Sequence, residues 1–371
     1  MKTSPASAGP PAPAAKATAI VKPLPVAPDA GATQAPRTFV RSWTDFWFSA
    51  ISPCGLHGLR VLTGLLLLAW ALPFAGQIEA MFSLQGWMDA QAYRQASRLT
   101  DGAPVPIDWS LFYLAGDNLG VVQALYWAGI VVFFLFTLGI ASRLTGVLSW
   151  VMVVSLMANP AIRFEADYLL SILTFYLMVG YLLYGQWNGK PGVAARLLGP
   201  RDAWVWHRDT DEPRPSYAAN LVARFLQVHF ALIVVTSALH KLQFGSWWSG
   251  VAFWYPLHSP FRATEEQLRT LTGMRDGYLF VLSLAQYLVL AWQLTFPLFA
   301  WRTGKWRWVL LGGGMVGWIG TIYVYQAPLF GPAFLIGYMS FLTPGEWDRL
   351  RGWLLIHREE RKERKGQRRP E

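Results

Sequence analysis

The sequence predicts an all-α membrane protein, a polytopic bundle of about eight transmembrane helices. Three observations predict it. Hydrophobic residues make up 53% of the 371-residue chain and charged residues only 15%, against roughly 25% charge in a soluble domain. Apolar runs of about 20 residues recur, the length at which a helix rising about 1.5 Å per residue crosses a hydrocarbon core of roughly 30 Å. The chain also carries 20 tryptophans, whose amphipathic rings favour the headgroup level.

Taken in order, residues 1–37 are rich in Ala and Pro and contain no aromatic residue. Such a segment buries too little apolar surface to fold and is expected to be a disordered tail. It lacks the continuous apolar run of a signal peptide. Residues 38–344 form the expected transmembrane domain. It opens with Phe39–Ile51, where Phe39, Trp43, Phe46 and Trp47 share one helical face while Arg41 and Asp45 fall away from it. This spacing predicts a helix lying in the membrane interface. Spans follow at 56–76, 119–141, 144–160, 167–185, 219–240, 278–301, 306–326 and 328–343. The third and eighth stand at the short limit. Residues 345–371 begin amphipathic and end in a dense charge run, expected to be a basic cytoplasmic tail.

The basic residues orient the bundle. Arg143, the Lys190–Arg214 stretch, Arg302, Lys305, Arg307 and the C-terminal tail fall on one side if eight spans are present. The positive-inside rule then makes both termini cytoplasmic, in a multi-pass protein of the cell membrane. The opposite side receives 77–118 and 241–277, in which Glu79, Asp89, Asp101, Asp108 and Asp117 fall on the first segment. The net charge of +10 is thereby explained by topology and contact with anionic lipid, with no soluble basic patch for nucleic acid. The single cysteine, Cys54, excludes an intramolecular disulfide. No His/Cys/Glu spacing matches a metal site, and no Gly-rich phosphate loop is present.

Ionisable side chains inside spans are costly and mark candidate sites. Arg60 and Arg224 lie near helix ends, where snorkelling to the cytoplasmic interface is the expected behaviour. Asn159, Arg163, Glu165 and Asp167 cluster at the third-to-fourth turn; Arg163 and Asp167 stand at i and i+4, as an ion pair at a helix start also would. Gln227 and His229 lie within the fifth span, where a hydrogen-bonded core histidine is the plainer reading. His57 and the remaining histidines, at boundaries or in loops, suggest nothing by themselves. His240 and Lys241 close the fifth span, ahead of Gly245, Trp247, Trp248 and Gly250. A lysine partly withdrawn from water there is placed to act as a base. An interfacial anchor is the competing reading.

Several ordered stretches resemble the HTTM family, bacterial membrane proteins related to vitamin K-dependent γ-glutamyl carboxylase. They are Gly58-Leu59-Arg60-Val61 opening the first span, Leu138-Gly139 with Arg143, and Asn159, Arg163 and Asp167 ahead of the fourth span. The most specific is the Arg224–Tyr255 segment, with its Lys-Leu pair followed by Trp and Gly. The resemblance covers residues 39–343 and implies a carboxylase-like helical architecture. It implies Lys241 as the base toward a reduced, vitamin K-like quinone, with His240, Asp167 and Arg163 as further catalytic candidates. Trp247, Trp248 and Asn159 are the implied cofactor contacts, and a secreted peptide or a redox partner joins the lipid bilayer as partner. The sequence departs from the carboxylase in three ways. His240 stands where the carboxylase carries a second lysine, no histidine falls near Glu165–Asp167, and no large lumenal domain is expected after the eighth span. These departures argue against glutamate carboxylation itself. A non-catalytic helper, partner-binding or transport-like subunit on the same scaffold is the second expectation.

Overall fold

The computed structural model describes residues 38–87, 109–116, 118–159, 162, 165–184, 198–199, 215–258, 266 and 275–353. The chain divides into two units, Met1–Ser42 and Trp43–Glu371. Residues 38–42 are the described part of the first, and the expected disordered tail at 1–37 lies outside the described residues. The second unit is a helical bundle. Among the described residues, its one non-helical pairing is an isolated antiparallel bridge between Ile51 and Ser216.

The lead-in helix α1 (Phe39–Phe48) precedes α2 (Cys54–Ala71). Pro73 accompanies a 3-10 turn over Leu72–Gly76 at the end of α2, and the Tyr126 hydroxyl donates to the Ala71 carbonyl at 2.6 Å. Next come α3 (Leu119–Leu138), α4 (Ser142–Met157), α5 (Glu165–Leu183) and α6 (Tyr217–Lys241). The Asn118 side chain caps α3 by accepting from the Val121 N–H, and Gly139 ends it in the left-handed region at φ +81°. That glycine makes the short α3–α4 turn and ends the helix before the expected limit at 141. After α6 come α7 (Arg275–Phe299), α8 (Lys305–Tyr325), α9 (Phe330–Met339) and α10 over 344–353.

Among the described residues, six stretches are long and apolar enough to cross a bilayer: Cys54–Gly76, Leu119–Leu138, Ala166–Leu183, Tyr217–Lys241, Gly277–Phe299 and Lys305–Tyr325. The other two expected spans are shorter helices. With 16 and 10 residues, α4 and α9 reach only about 24 and 15 Å. The short α9 nevertheless belongs to a longer return path beside α8. Trp318 lies over Gly331, Tyr338 and Leu335 lie against Gly314, and Arg307 pairs with Glu346 beyond α9.

Packing centres on α6, which touches α2, α5, α7 and α9, while α3 and α4 flank α2 and α5. Phe230 of α6, Phe296 of α7, and Tyr338 and Phe341 beside α9 form one aromatic cluster at this centre. Where backbones approach most closely, the sequence supplies glycine. A Cβ at Gly64 would overlap the Thr137 hydroxyl, and one at Gly180 would stand 2.7 Å from Val222 Cγ2. The outside of the bundle is apolar too. Trp308, Val316, Ile319 and Tyr323 of α8 are exposed, as are Phe280, Leu288 and Leu298 of α7. Water does not tolerate a continuous apolar face of that extent, whereas hydrocarbon solvates it.

The segment expected as the C-terminal tail starts as the docked helix α10. Thr343 and Glu346 cap it reciprocally: the Glu346 carboxylate accepts from the Thr343 N–H and hydroxyl, and the Glu346 N–H donates to Thr343 Oγ1. Pro344 occupies the first helical position, where its missing N–H costs nothing. The buried Trp347 then lies against Gly55 and Gly58 of α2.

Candidate functional site

Lys241 ends α6 half-buried. Its Nζ donates to Ser237 Oγ at 2.8 Å and to Gln293 Oε1 at 2.9 Å, and lies 5.4 Å from the centre of the Trp247 ring. Ser237 and Lys241 share a face of α6 because they are one turn apart. Gln293 reaches in from α7. The indole contributes a cation–π contact that replaces part of the water an ammonium loses.

The turn after Lys241 is held by the same face of α7. Gln286, fully buried, donates to the Trp247 carbonyl at 2.9 Å and accepts from the Ala252 N–H at 2.8 Å. Ser283 donates to the Gly250 carbonyl and Tyr287 to the Trp248 carbonyl. Gly250 adopts φ +82°, which a side chain would resist. Ser283, Gln286, Tyr287 and Gln293 recur at helical spacing, so one polar stripe of α7 fixes both the turn and the lysine. That stripe is the functional feature the sequence reading missed. The signal was present: polar residues at 283, 286, 287 and 293 within an otherwise apolar span.

The other sequence-derived candidates fall as follows. Trp247 is buried beside Lys241, whereas Trp248 is exposed and donates its indole N–H to the Leu242 carbonyl. His240 is exposed, its ring edge-on to Phe244 at 5.0 Å. Asn159 is buried and donates to the Met81 carbonyl, and Asp167 is fully buried at the start of α5. Arg163 lies outside the described residues. Tyr176 pairs with His229 and Gly180 with Val222, so α5 and α6 run antiparallel. The start of α5 and the end of α6 therefore lie toward the same end of the bundle, with Asp167 on one helix and Lys241 on the other.

Arg60 behaves differently from the expected snorkelling. Arg60 is wholly buried, and its Nη1 donates to the Tyr181 hydroxyl at 3.2 Å. His57 Nδ1 stands 2.8 Å from that same hydroxyl, so a histidine that suggested nothing in the sequence belongs to a buried cluster. Arg143 caps α5 by donating to the Tyr181 and Tyr184 carbonyls. Arg224 donates to the Phe46 carbonyl and to Gln227 Oε1, and its guanidinium lies 4.3 Å from the Phe46 ring centre. Gln227 also accepts from the Trp301 indole and donates to the Ser340 carbonyl. Protein hydrogen-bond partners hold each of these arginines. No group of three or more metal-ligating side chains occurs among the described residues.

No family model matches the chain, and neither a curated protein nor a solved structure matches it. The class therefore rests on the molecule itself. Among the described residues, six long apolar helices and an apolar exterior define a multi-pass integral membrane protein.

Proposed function

We propose that this membrane protein works through an outward-facing site centred on Lys241, with the lysine acting as a base toward a reduced, lipid-soluble quinone. The observation that carries this reading is the mounting of Lys241. Its nitrogen is held by Ser237 and Gln293 above Trp247, at a membrane boundary, on a turn that α7 clamps. A base must be held in place before it can be matched to a substrate proton. The resemblance of Arg224–Tyr255 to the HTTM and carboxylase segment supports the choice of a quinol. Eight crossings, cytoplasmic termini, and a secreted peptide or redox partner complete the proposal.

Purified protein reconstituted in lipid nanodiscs and titrated with vitamin K hydroquinone should bind it saturably. Lys241→Ala should weaken that binding at unchanged elution volume and helicity. Equal binding by the variant, or none by the wild type, removes the quinol reading. A second, non-catalytic reading is favoured by the clamp itself, because three α7 side chains that hold a turn, with a fourth on Lys241, also suit a partner-binding scaffold.

A further inference from the structure

His229 is the middle residue of the 25-residue α6. It therefore lies about 18 Å from either end of the helix, near the bilayer midplane. It is only half-buried, as is its partner Tyr176 on α5. His229 Nδ1 and the Tyr176 hydroxyl are 3.0 Å apart. The other ring nitrogen, Nε2, makes no hydrogen bond among the described residues. The pair sits where two lipid-facing stripes meet: Tyr168, Phe175 and Leu182 on α5, and Phe225, Leu232 and Leu239 on α6, all exposed and each set spaced by seven residues. Tyr176 stacks on Phe225 with ring centres 5.7 Å apart and planes 6° from parallel. Trp47 also lies against Phe225, with ring centres 5.2 Å apart.

One hydrogen lies between Tyr176 Oη and His229 Nδ1. If the hydroxyl carries it, Nε2 bears a hydrogen and Oη keeps a lone pair. If Nδ1 carries it, Oη–H is free to donate and Nε2 is bare. In both cases the pair presents one donor and one acceptor to hydrocarbon, where no water is at hand to satisfy them. A hydroxyl group at Nε2 answers either state, because it accepts from Nε2–H or donates to a bare Nε2, and the surrounding rings favour a flat apolar body.

We propose that the α5–α6 seam at Tyr176 and His229 is a binding site for a bilayer-dissolved phenol, taken up sideways from the membrane. It lies half the length of α6 from Lys241 and does not rest on the reading of that residue.

The test uses the full-length protein in nanodiscs with a photoreactive long-chain alkylphenol, and the matching alkylbenzene without the hydroxyl. Cross-linked peptides are mapped by mass spectrometry. The alkylphenol should label the 168–182 and 225–239 stretches. Excess unreactive alkylphenol should suppress that label in the wild type, and excess alkylbenzene should not. His229→Phe should lower it about fivefold, the equivalent of one neutral hydrogen bond, and Tyr176→Phe should lower it less, because Nε2 remains and only the bond that orients the imidazole is lost. Lys241→Ala should leave it unchanged, which separates this site from the quinol proposal. Equal labelling of the seam by both probes, competition by the alkylbenzene, or labelling confined to other helices would overturn the proposal. The Tyr176–His229 bond would then serve only to join α5 to α6.

Discussion

Tyr181 joins two polar side chains of the bundle at one atom. Its hydroxyl faces Arg60 Nη1 and His57 Nδ1 inside the bundle, and its carbonyl accepts from Arg143. Tyr181→Phe keeps the ring but strips that partner from both side chains. It should cost about 1–3 kcal/mol, the price of a buried polar group left unpaired, read as a lowered midpoint of thermal unfolding in nanodiscs. Glu346 offers a pH-dependent counterpart outside the spans. Burial pushes its carboxyl up, but bonds from Thr343 and the charge and bond of Arg307 outweigh burial and hold it below the ordinary value. A carboxyl whose folded value is depressed adds stability above its unfolded value and loses it as pH falls through the folded one. Acidification from neutral pH should therefore loosen α10, seen as faster proteolysis within 344–353. Glu346→Gln should make that response flatter. If the wild type and Glu346→Gln respond alike to acid, the cap does not carry the effect.

At the scale of elements, the clamp between α7 and the post-Lys241 turn makes the sharper prediction. Gln286 is fully buried and satisfies one carbonyl and one N–H of the turn at once. Gln286→Leu fills the same space without either bond. Amide exchange over 247–252 should accelerate by about tenfold or more, as expected when a buried pair of bonds is lost, while exchange in α2 and α3 stays unchanged. The helices themselves were legible in the sequence, because run length and apolar composition suffice to mark a span. The Ser237–Lys241 contact was legible in principle, since i and i+4 share a face. Gln293 was not. It lies 52 residues from Lys241 and arrives only because α7 packs on α6. Arg60 was misread for the same reason. Its position near a helix end suggested a route to water, but Tyr181, 121 residues away, takes the guanidinium inside. Sequence periodicity reports which face of a helix is apolar; it does not report which other helix supplies the hydrogen bond. The same gap separates α4 and α9 from full spans, because buried neighbours let a short helix persist where its own length would not reach across.

For the whole molecule the open question is orientation, and the return of the chain after α8 sharpens it. Arg307 at the start of α8 pairs with Glu346 beyond α9 at 3.2 Å, so those two points share one face of the membrane whatever the number of crossings. Lys305 and Leu350 flank that pair and are both exposed. Gln243, exposed just after α6, is separated from Lys305 by one crossing, α7. The positive-inside rule leads to the expectation that Arg302, Lys305 and Arg307 face the cytoplasm. The only native cysteine is Cys54, and Cys54→Ala provides a clean background. In intact cells, a membrane-impermeant maleimide should label Gln243→Cys and spare Lys305→Cys and Leu350→Cys. The latter two should react only after the membrane is opened. Labelling with the opposite sense would reverse the bundle and place Lys241 on the cytoplasmic side, which would end the outward-facing site. Lys305→Cys and Leu350→Cys labelled from different sides would contradict the Arg307–Glu346 pair, and with it the antiparallel return of α9 along α8.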